Sequence, residues 1–422
     1  MNAVASAVAT HGAVAGLDPS PLWVAPFAAL LLSIAVLPLA APRFWHQRYP
    51  LVTLALAAPV IAWLSAVDPG RLLHTGGEYV AFICLLTALF IVSSGIAIEG
   101  GLRASPAGNA LVLGLGAGLA NLIGTTGASM LLVRPLLRAN RHRPRAAHVF
   151  VFFIFIVSNL GGLLTPLGDP PLFLGYLQGV PFAWTFRLLP QWAFAVGTVL
   201  VIFVCVDATI ARHEGAANPD AGPQPRGIRI RGRRNVPLLG AILLLVFLDS
   251  PLREIGMIVV ALVSYQSTPE AVHDVNEFSL GPIREVAILF FGIFATMIPA
   301  LALLERQGGE LGLDQPLEFF WATGLLSSVL DNAPTYLTFL AAARGLGLPA
   351  EVGGTTSELL AAISCGAVMM GANTYIGNGP NFMVKAIVEE AGVVMPSFFG
   401  YVGWSAAVLL PVFALVTWIF FT

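Results

Sequence analysis

Charge is scarce in this 422-residue chain. Only 10% of its residues are Asp, Glu, Lys or Arg, and Lys385 is the single lysine. A soluble domain carries about 25% charged residues. The formal net charge of −2 gives no basis for nucleic-acid binding. Cysteine is nearly absent: Cys84, Cys205 and Cys365 lie in separate apolar runs without metal-type spacing and read as buried small hydrophobes. The seven histidines never form an i, i+4 pair, so a helical zinc site is not expected. No GxxxxGK[ST] loop exists to cradle a nucleotide phosphate, which argues against ATP as an energy source. No Ser/His/Asp constellation falls within the apolar runs, and the chain does not read as an enzyme. Met1–Ser20 has no Lys or Arg to serve as the basic region of a cleaved signal, so the first apolar run is expected to remain as a transmembrane helix.

What the chain has instead is hydrophobic length. Apolar residues make up 57% of it, in runs near the roughly 20 residues that cross a bilayer as a helix. The runs are continuous rather than alternating, which disfavours a β-barrel. The expected class is an all-α polytopic membrane protein with about 10 transmembrane helices plus two hairpins. Spans are predicted near 22–41, 50–66, 78–99, 149–177, 184–209, 237–249, 252–266, 283–304, 357–388 and 398–421, with hairpins near 106–137 and 316–342. The spans at 237–249 and 252–266 are short for a bilayer of about 30 Å. Arg253 and Glu254 then lie at a membrane surface, or the two spans are shifted by several residues.

Basic loops set the orientation. Arg43–Arg48, Arg138–Arg145 and Arg226–Arg234 are expected in the cytoplasm, whereas the outer loops hold only Arg71, Arg187, Arg253, Arg306 and Arg344 of the 21 Lys and Arg. The parity closes only if both hairpins re-enter without crossing, the first from the cytoplasm and the second from outside. The resulting division is an extracytoplasmic segment 1–21, a first transmembrane repeat 22–209, a cytoplasmic linker 210–236 and a second repeat 237–422. The linker is rich in Pro, Gly and Arg between Glu214 and Asn235; it reads as flexible, with lipid-headgroup binding as an alternative.

The repeat rests on two pairs of polar, Gly/Pro-broken segments. Asn121–Ser129 is followed by Ser158–Pro171, and Ser327–Thr335 is followed by Gly371–Asn381. Irregular backbone survives at membrane depth only when it is buried in protein or lines a polar cavity. Such breaks in matching positions of two halves mark a transporter's binding region. Glu78–Glu99 is similar to Glu285–Glu305. At the same offset of 206, Thr125 and Thr126 align with Asp331 and Asn332, and Ser129 with Thr335. Gly168–Pro171 aligns with Gly377–Pro380 three residues further out. Copies that enter from opposite sides form an inverted-topology repeat, which supplies alternating access.

Asp169 precedes two prolines, so a helix must break there. An acid at membrane depth is costly unless partnered, which points to a cation or proton role, with helix capping as the alternative. Asp331, followed by Asn332 and Pro334, poses the same choice. The candidate ligands around these acids are Asn121, Thr125, Thr126, Ser129, Ser158, Asn159, Thr165, Asn332, Thr335, Asn373, Thr374, Asn378 and Asn381. Their hydroxyl and amide groups suit sodium and also suit a carboxylate, and some of them would serve only to bond helices together. Glu78, Glu99, Glu285 and Glu305 read as solvated interface residues. Lys385 reads as snorkelling toward the interface or facing an anion, and Arg134 as closing a hairpin base.

At these motifs the chain resembles the ion transporter superfamily of NhaD-type sodium/proton antiporters, citrate transporters, dicarboxylate/sodium symporters and arsenite permeases. GTTGAS at Gly124–Ser129, Ser158–Asp169 and Asp331–Pro334 carry the resemblance. It implies re-entrant hairpins facing broken helices, a homodimer, and sodium near each hairpin tip; Asp169 and Asp331 are the expected sodium ligands on the reading of the residues themselves. Gly168–Asp169 is followed here by PPLFLGY, where NhaD-like sequences are usually Thr-rich. The first functional expectation is a sodium/proton antiporter. The alternative is a sodium- or proton-coupled citrate or dicarboxylate symporter, and an arsenite permease is a third. No cofactor is expected beyond sodium as the transported or coupling ion. The lipid partner would be the bacterial cytoplasmic (inner) membrane.

Overall fold

A computed structural model describes residues 17–100, 104–214, 227 and 229–422. Most of the N-terminal segment 1–21, and linker residues 215–226 and 228, lie outside the described residues.

The chain is helical almost throughout. Helices α1 (Ala25–Ala40), α2 (Pro42–Val67) and α3 (Pro69–Ser94) come first. The long element α4 (Pro106–Asn140) follows. Helices α5 (Ala147–Ile156) and α6 (Pro170–Leu177) flank the first break, and α7 (Leu189–His213) closes the first half. The second half holds α8 (Asn235–Leu245), α9 (Leu252–Ser267), α10 (Glu270–Val275), α11 (Gly281–Gln307), α12 (Pro316–Ser327) and α13 (Asn332–Arg344). It ends with α14 (Ser357–Met370), α15 (Gly379–Glu390) and α16 (Phe398–Phe420). Prolines or side-chain caps fix many starts. Asp68 accepts from the Arg71 amide at 3.0 Å with Pro69 at the first position of α3, so that helix begins nine residues before the predicted span.

Among the described residues, eight helical segments are long and apolar enough to cross a membrane. One of them, α4, is folded back on itself. Gly124 has φ +78° and ψ 155°, which breaks the helix in the middle. Asn109 Nδ2 donates to Asn140 Oδ1 at 3.1 Å, and Asn140 Nδ2 returns a bond of 2.9 Å. A straight helix would hold those residues about 46 Å apart. The second hairpin is α12–α13, closed near its base by Phe319 and Phe339, whose ring centroids are 6.3 Å apart. Helices α8 and α9 are short, as predicted from the sequence. They pair at one end, where Ser264 Oγ donates to Asn235 Oδ1 and Asn235 Nδ2 donates to Thr268 Oγ1.

The hairpin bases lie at opposite ends of α3. Arg138, in the base of the first hairpin, donates to Ile98 O just past the C-terminus of α3. Arg344, in the base of the second, bonds Gln178, which donates to Glu78 near the start of α3. From Glu78 to Ser94, the last residue of α3, the helix runs 16 residues, about 24 Å and most of a bilayer core. Both tips then reach back to the middle of the structure.

Repeat symmetry is visible in the breaks. A Cβ on Gly168 would lie 2.1 Å from Gly162 O, and one on Gly377 would lie 2.6 Å from Gly371 O. Both pairs therefore depend on backbone meeting backbone across the break. Thr165 Oγ1 donates to Asn121 O at 2.5 Å, and Thr374 Oγ1 donates to Ser328 O at 2.6 Å. Thr165 and Thr374 obey the offset of 209 read from the sequence, but Asn121 and Ser328 are 207 apart. The hairpin register is thus shifted by one residue from the sequence alignment, and the counterpart of Thr125 is Asn332, not Asp331.

The deepest part of the core is the arm before the first break. Val149 through Val157 are all 0% exposed. Helices α1 and α2 are peripheral, with about a fifth of their apolar windows buried (22%). Glu78 and Glu305 are not solvated as expected. Their side chains are only 12% and 13% exposed, and Arg344 Nη1 bonds Glu305 Oε1 at 3.3 Å. The reason is Arg344, which bonds Glu305 of the second half directly and reaches Glu78 of the first half through Gln178.

Overpacking at the glycine contacts should be costly, because backbone oxygens cannot rotate away. Gly168→Ala and Gly377→Ala are expected to lose about 1–3 kcal/mol each. Gly197→Ala and Gly403→Ala, in helices where a Cβ meets nothing within 4 Å, should leave stability unchanged or slightly raised. Melting curves of the detergent-solubilised protein compare the two sets.

Candidate functional site

Both hairpin tips and both helix breaks converge on Asp169. Its backbone is extended (φ −145°, ψ 144°) at the position preceding α6, yet its side chain does not cap that helix. The carboxylate instead faces three other elements. Thr125 Oγ1, just past the first hairpin tip, donates to Oδ1 at 2.8 Å. Asn378 Nδ2, from the second break, donates to Oδ1 at 3.3 Å. Asn332 Nδ2, at the start of α13, donates to Oδ2. Asp169 is 1% exposed. Asn378 holds the matching extended position before α15, and its side chain likewise leaves its helix uncapped.

Asp331 behaves differently. Its Oδ1 accepts from the Ala333 amide at 3.0 Å, so the capping alternative holds for this acid. It is only half-buried, and it lines the same cavity as Asp169. That cavity measures about 110 Å³. Thr125, Thr126, Asp169, Asp331 and Asn378 form its polar side, and α3 and α11 form an apolar wall that includes Leu89, Phe90, Val286 and Phe290. The space suits a few waters or a small ion, since water occupies about 30 Å³ per molecule.

Neither acid has a basic partner: among the described residues no Lys, Arg or His lies within ion-pair distance of Asp169 or Asp331. The field at the cluster comes from helix ends. The N-termini of α6, α13, α15 and the return arm of α4 all start here, and their free amide ends favour negative charge.

A second polar layer crosses the two repeats. Asn159 Nδ2 donates to Asn381 Oδ1 at 2.7 Å, and Asn378 Nδ2 donates to Ser158 O and Asn159 Oδ1, both at 3.2 Å. Ser129 and Ser158 share a hydroxyl bond of 2.8 Å. Asn381 Nδ2 satisfies Gly371 O and Thr374 O, two carbonyls freed by the second break.

The remaining predicted residues fasten each hairpin to its own break. Asn121 accepts from the Leu164 amide and from Thr165. Asn373 and Thr374 both bond Ser328. Thr335 Oγ1 donates to Asp331 O, its own preceding turn, and is not part of the cavity wall. Lys385 pairs with Glu389 at 2.5 Å, and Arg134 pairs with Glu277 at 2.6 Å, so neither faces the acids. Ser328 was missed in the sequence because it lies one residue off the aligned position of Asn121. Asn332 Oδ1 is buried without a hydrogen-bond partner, a free oxygen beside the carboxylate it serves.

These contacts set opposite expectations for two variants. Asp169→Asn removes an uncompensated buried charge and keeps the shape, so it should leave the melting temperature unchanged or raise it. Asn332→Ala removes a donor to that carboxylate and should cost about 1–3 kcal/mol. Thermal melts at neutral pH without sodium make the comparison. Loss of stability in Asp169→Asn equal to that in Asn332→Ala would count against this account of the site.

With the site described, comparison with known proteins adds a family. Residues 17–421 match the family described as "Putative citrate transport". A "P protein" from Sus scrofa is 26% identical over 176 residues, covering 37% of this chain and 21% of that protein. The "P protein" from Homo sapiens is 29% identical over 136 residues, covering 29% of this chain and 16% of its own length. The chain thus matches only a small part of those longer relatives, whereas the family match runs nearly from end to end. The protein is an all-α, multi-pass integral membrane protein and belongs to the family described as "Putative citrate transport".

Proposed function

We propose that the protein is a secondary active transporter in which Asp169 and Asp331 take a sodium ion or a proton in turn. One observation carries this reading. Two acids share a small cavity in the middle of an apolar fold, and among the described residues no basic side chain lies within ion-pair distance of them. A bare carboxylate in such surroundings is costly. A mobile cation supplies what the chain does not. Asp169, Asp331, Thr125 and the free Oδ1 of Asn332 offer oxygens of the type that hold hard cations. Protons and sodium competing for the same carboxylates would couple their movements in opposite directions, which is sodium/proton antiport. The inverted repeat supports alternating exposure of this one site, and the basic loops support a cytoplasmic-membrane orientation.

A second reading has its own support. Four helix N-termini meet at the cluster, a field that favours an anion, and the family description names citrate. In that reading Asp169 and Asp331 hold the coupling cation, and Asn378 and the helix-end amides hold a substrate carboxylate.

Proteoliposomes carrying a trapped pH dye separate the two. A sodium jump without citrate should change internal pH, and Asp169→Asn should abolish the response, while Asn378→Ala should weaken it. Labelled citrate uptake that requires sodium or a pH gradient, with no sodium-driven pH change in the absence of citrate, would favour the symporter. No response in either assay would overturn the transport role of the acids.

A further inference from the structure

A second cavity, lined in part by arginines, lies away from the acids. It measures about 390 Å³ and sits between the α4–α5 connection and the turn after α15. Arg138, Arg141, Arg143 and Arg145 line one side, and Ala391–Val394 line the other. The first set belongs to the first repeat and the second to the second, so the cavity bridges the halves. By the distribution of basic loops, it faces the cytoplasm.

Among the described residues, these four guanidinium groups meet two carboxylates, both through Arg143, and Glu214 Oε1 also accepts from the Arg145 backbone amide at 2.9 Å. Arg143 Nη1 is 2.6 Å from Asp207 Oδ1, and Arg143 Nε is 3.2 Å from Glu214 Oε2. Asp207 is further engaged by His148 at 2.9 Å and by Asn109 at 3.0 Å. The Arg143 side chain is 7% exposed, and its Nη2 is buried without a hydrogen-bond partner. A buried guanidinium N–H left unmatched is unusual and points to an acceptor that the protein itself does not supply. Arg138 spends one donor on the Ile98 carbonyl, and Arg141 Nε donates to His142 Nε2 at 2.9 Å. Among the described residues, no carboxylate lies within ion-pair distance of Arg138, Arg141 or Arg145.

Loops on the cytoplasmic side of membrane proteins are basic for topology alone. That rule requires neither a cavity nor a buried arginine with a free donor. We propose that this pocket binds a phosphate-bearing anion, either a phospholipid headgroup or a soluble phosphate. A phosphate group offers several acceptor oxygens and negative charge, one unit in a lipid diester and close to two in a free phosphate, matching the forked donors and the excess of arginine. Bound there, the anion ties the base of the first hairpin to the end of α15. The inference does not depend on which cargo Asp169 serves.

The test uses the full chain in phosphatidylcholine nanodiscs. One arm adds phosphatidylglycerol to the bilayer, and the other titrates pyrophosphate into phosphatidylcholine discs. Thermal unfolding followed by tryptophan fluorescence reads both. The expected result is a higher melting temperature in at least one arm. Arg141→Ala with Arg145→Ala should weaken the response at least about tenfold, with Arg145→Gln intermediate. These arginines are exposed, so the variants should fold. A control pair, Arg43→Ala with Arg48→Ala, removes the same charge from another basic loop and should retain the response. A response to lipid alone identifies a headgroup site, and a response to pyrophosphate alone identifies a soluble anion. No stabilisation in either arm, or equal loss in the control pair, would overturn the proposal.

Discussion

The fold is arranged around one carboxylate that has donors but, among the described residues, no counter-charge. Asp169 is buried at the meeting point of two hairpin tips and two helix breaks. Its three side-chain donors come from Thr125, Asn332 and Asn378, which belong to three separate elements. Hydrogen bonds of this kind lower the cost of a buried charge, but they do not remove it. The helix ends add a favourable field. Removing any one element would deprive the acid of a donor and expose a broken helix end. The hairpins, the breaks and the acid are therefore one structural unit.

Symmetry builds this unit, and a departure from symmetry makes it useful. The two repeats share the glycine contacts at their breaks and the threonine bonds that pin each hairpin. At the centre the counterparts differ: Asp169 corresponds to Asn378, and Thr125 to Asn332. A second acid at position 378 would place two carboxylates within bonding distance of each other. An amide there instead donates to Asp169, so the neutral repeat stabilises the charged one. Asp331 is anchored as a helix cap and contributes only part of its surface to the cavity. The two acids are thus unequal partners, one central and one at the margin.

Much of this was legible in the sequence. Long apolar runs, basic loops and Gly/Pro-broken polar segments gave the helices, the two hairpins and the region of the site, because lipid leaves a chain few alternatives for its backbone. Boundaries were less accurate where a proline starts a helix early, as at Pro69. The alignment offset was wrong by one residue at the hairpins. Side-chain type alone cannot distinguish Asn121 pairing with Ser328 from its neighbour, and the shift becomes visible only when Thr165 and Thr374 are seen to bond equivalent carbonyls. Long-range ionic contacts were not legible at all. Asp207 lies in the last two turns of α7, and only the fold brings it to His148 and Arg143 from distant positions. Glu78 and Glu305 read as solvated until Arg344 is found between them.

The central claim is that mobile cations neutralise these acids. Sodium titrated calorimetrically into the purified protein, in two buffers with different heats of protonation, tests it most directly. The account predicts a binding heat that depends on the buffer, because sodium displaces a proton from the Asp169 site, and predicts that Asp169→Asn loses the buffer-dependent part. A wild-type protein that shows no heat with sodium, or an Asp169→Asn variant that responds like the wild type, would contradict it.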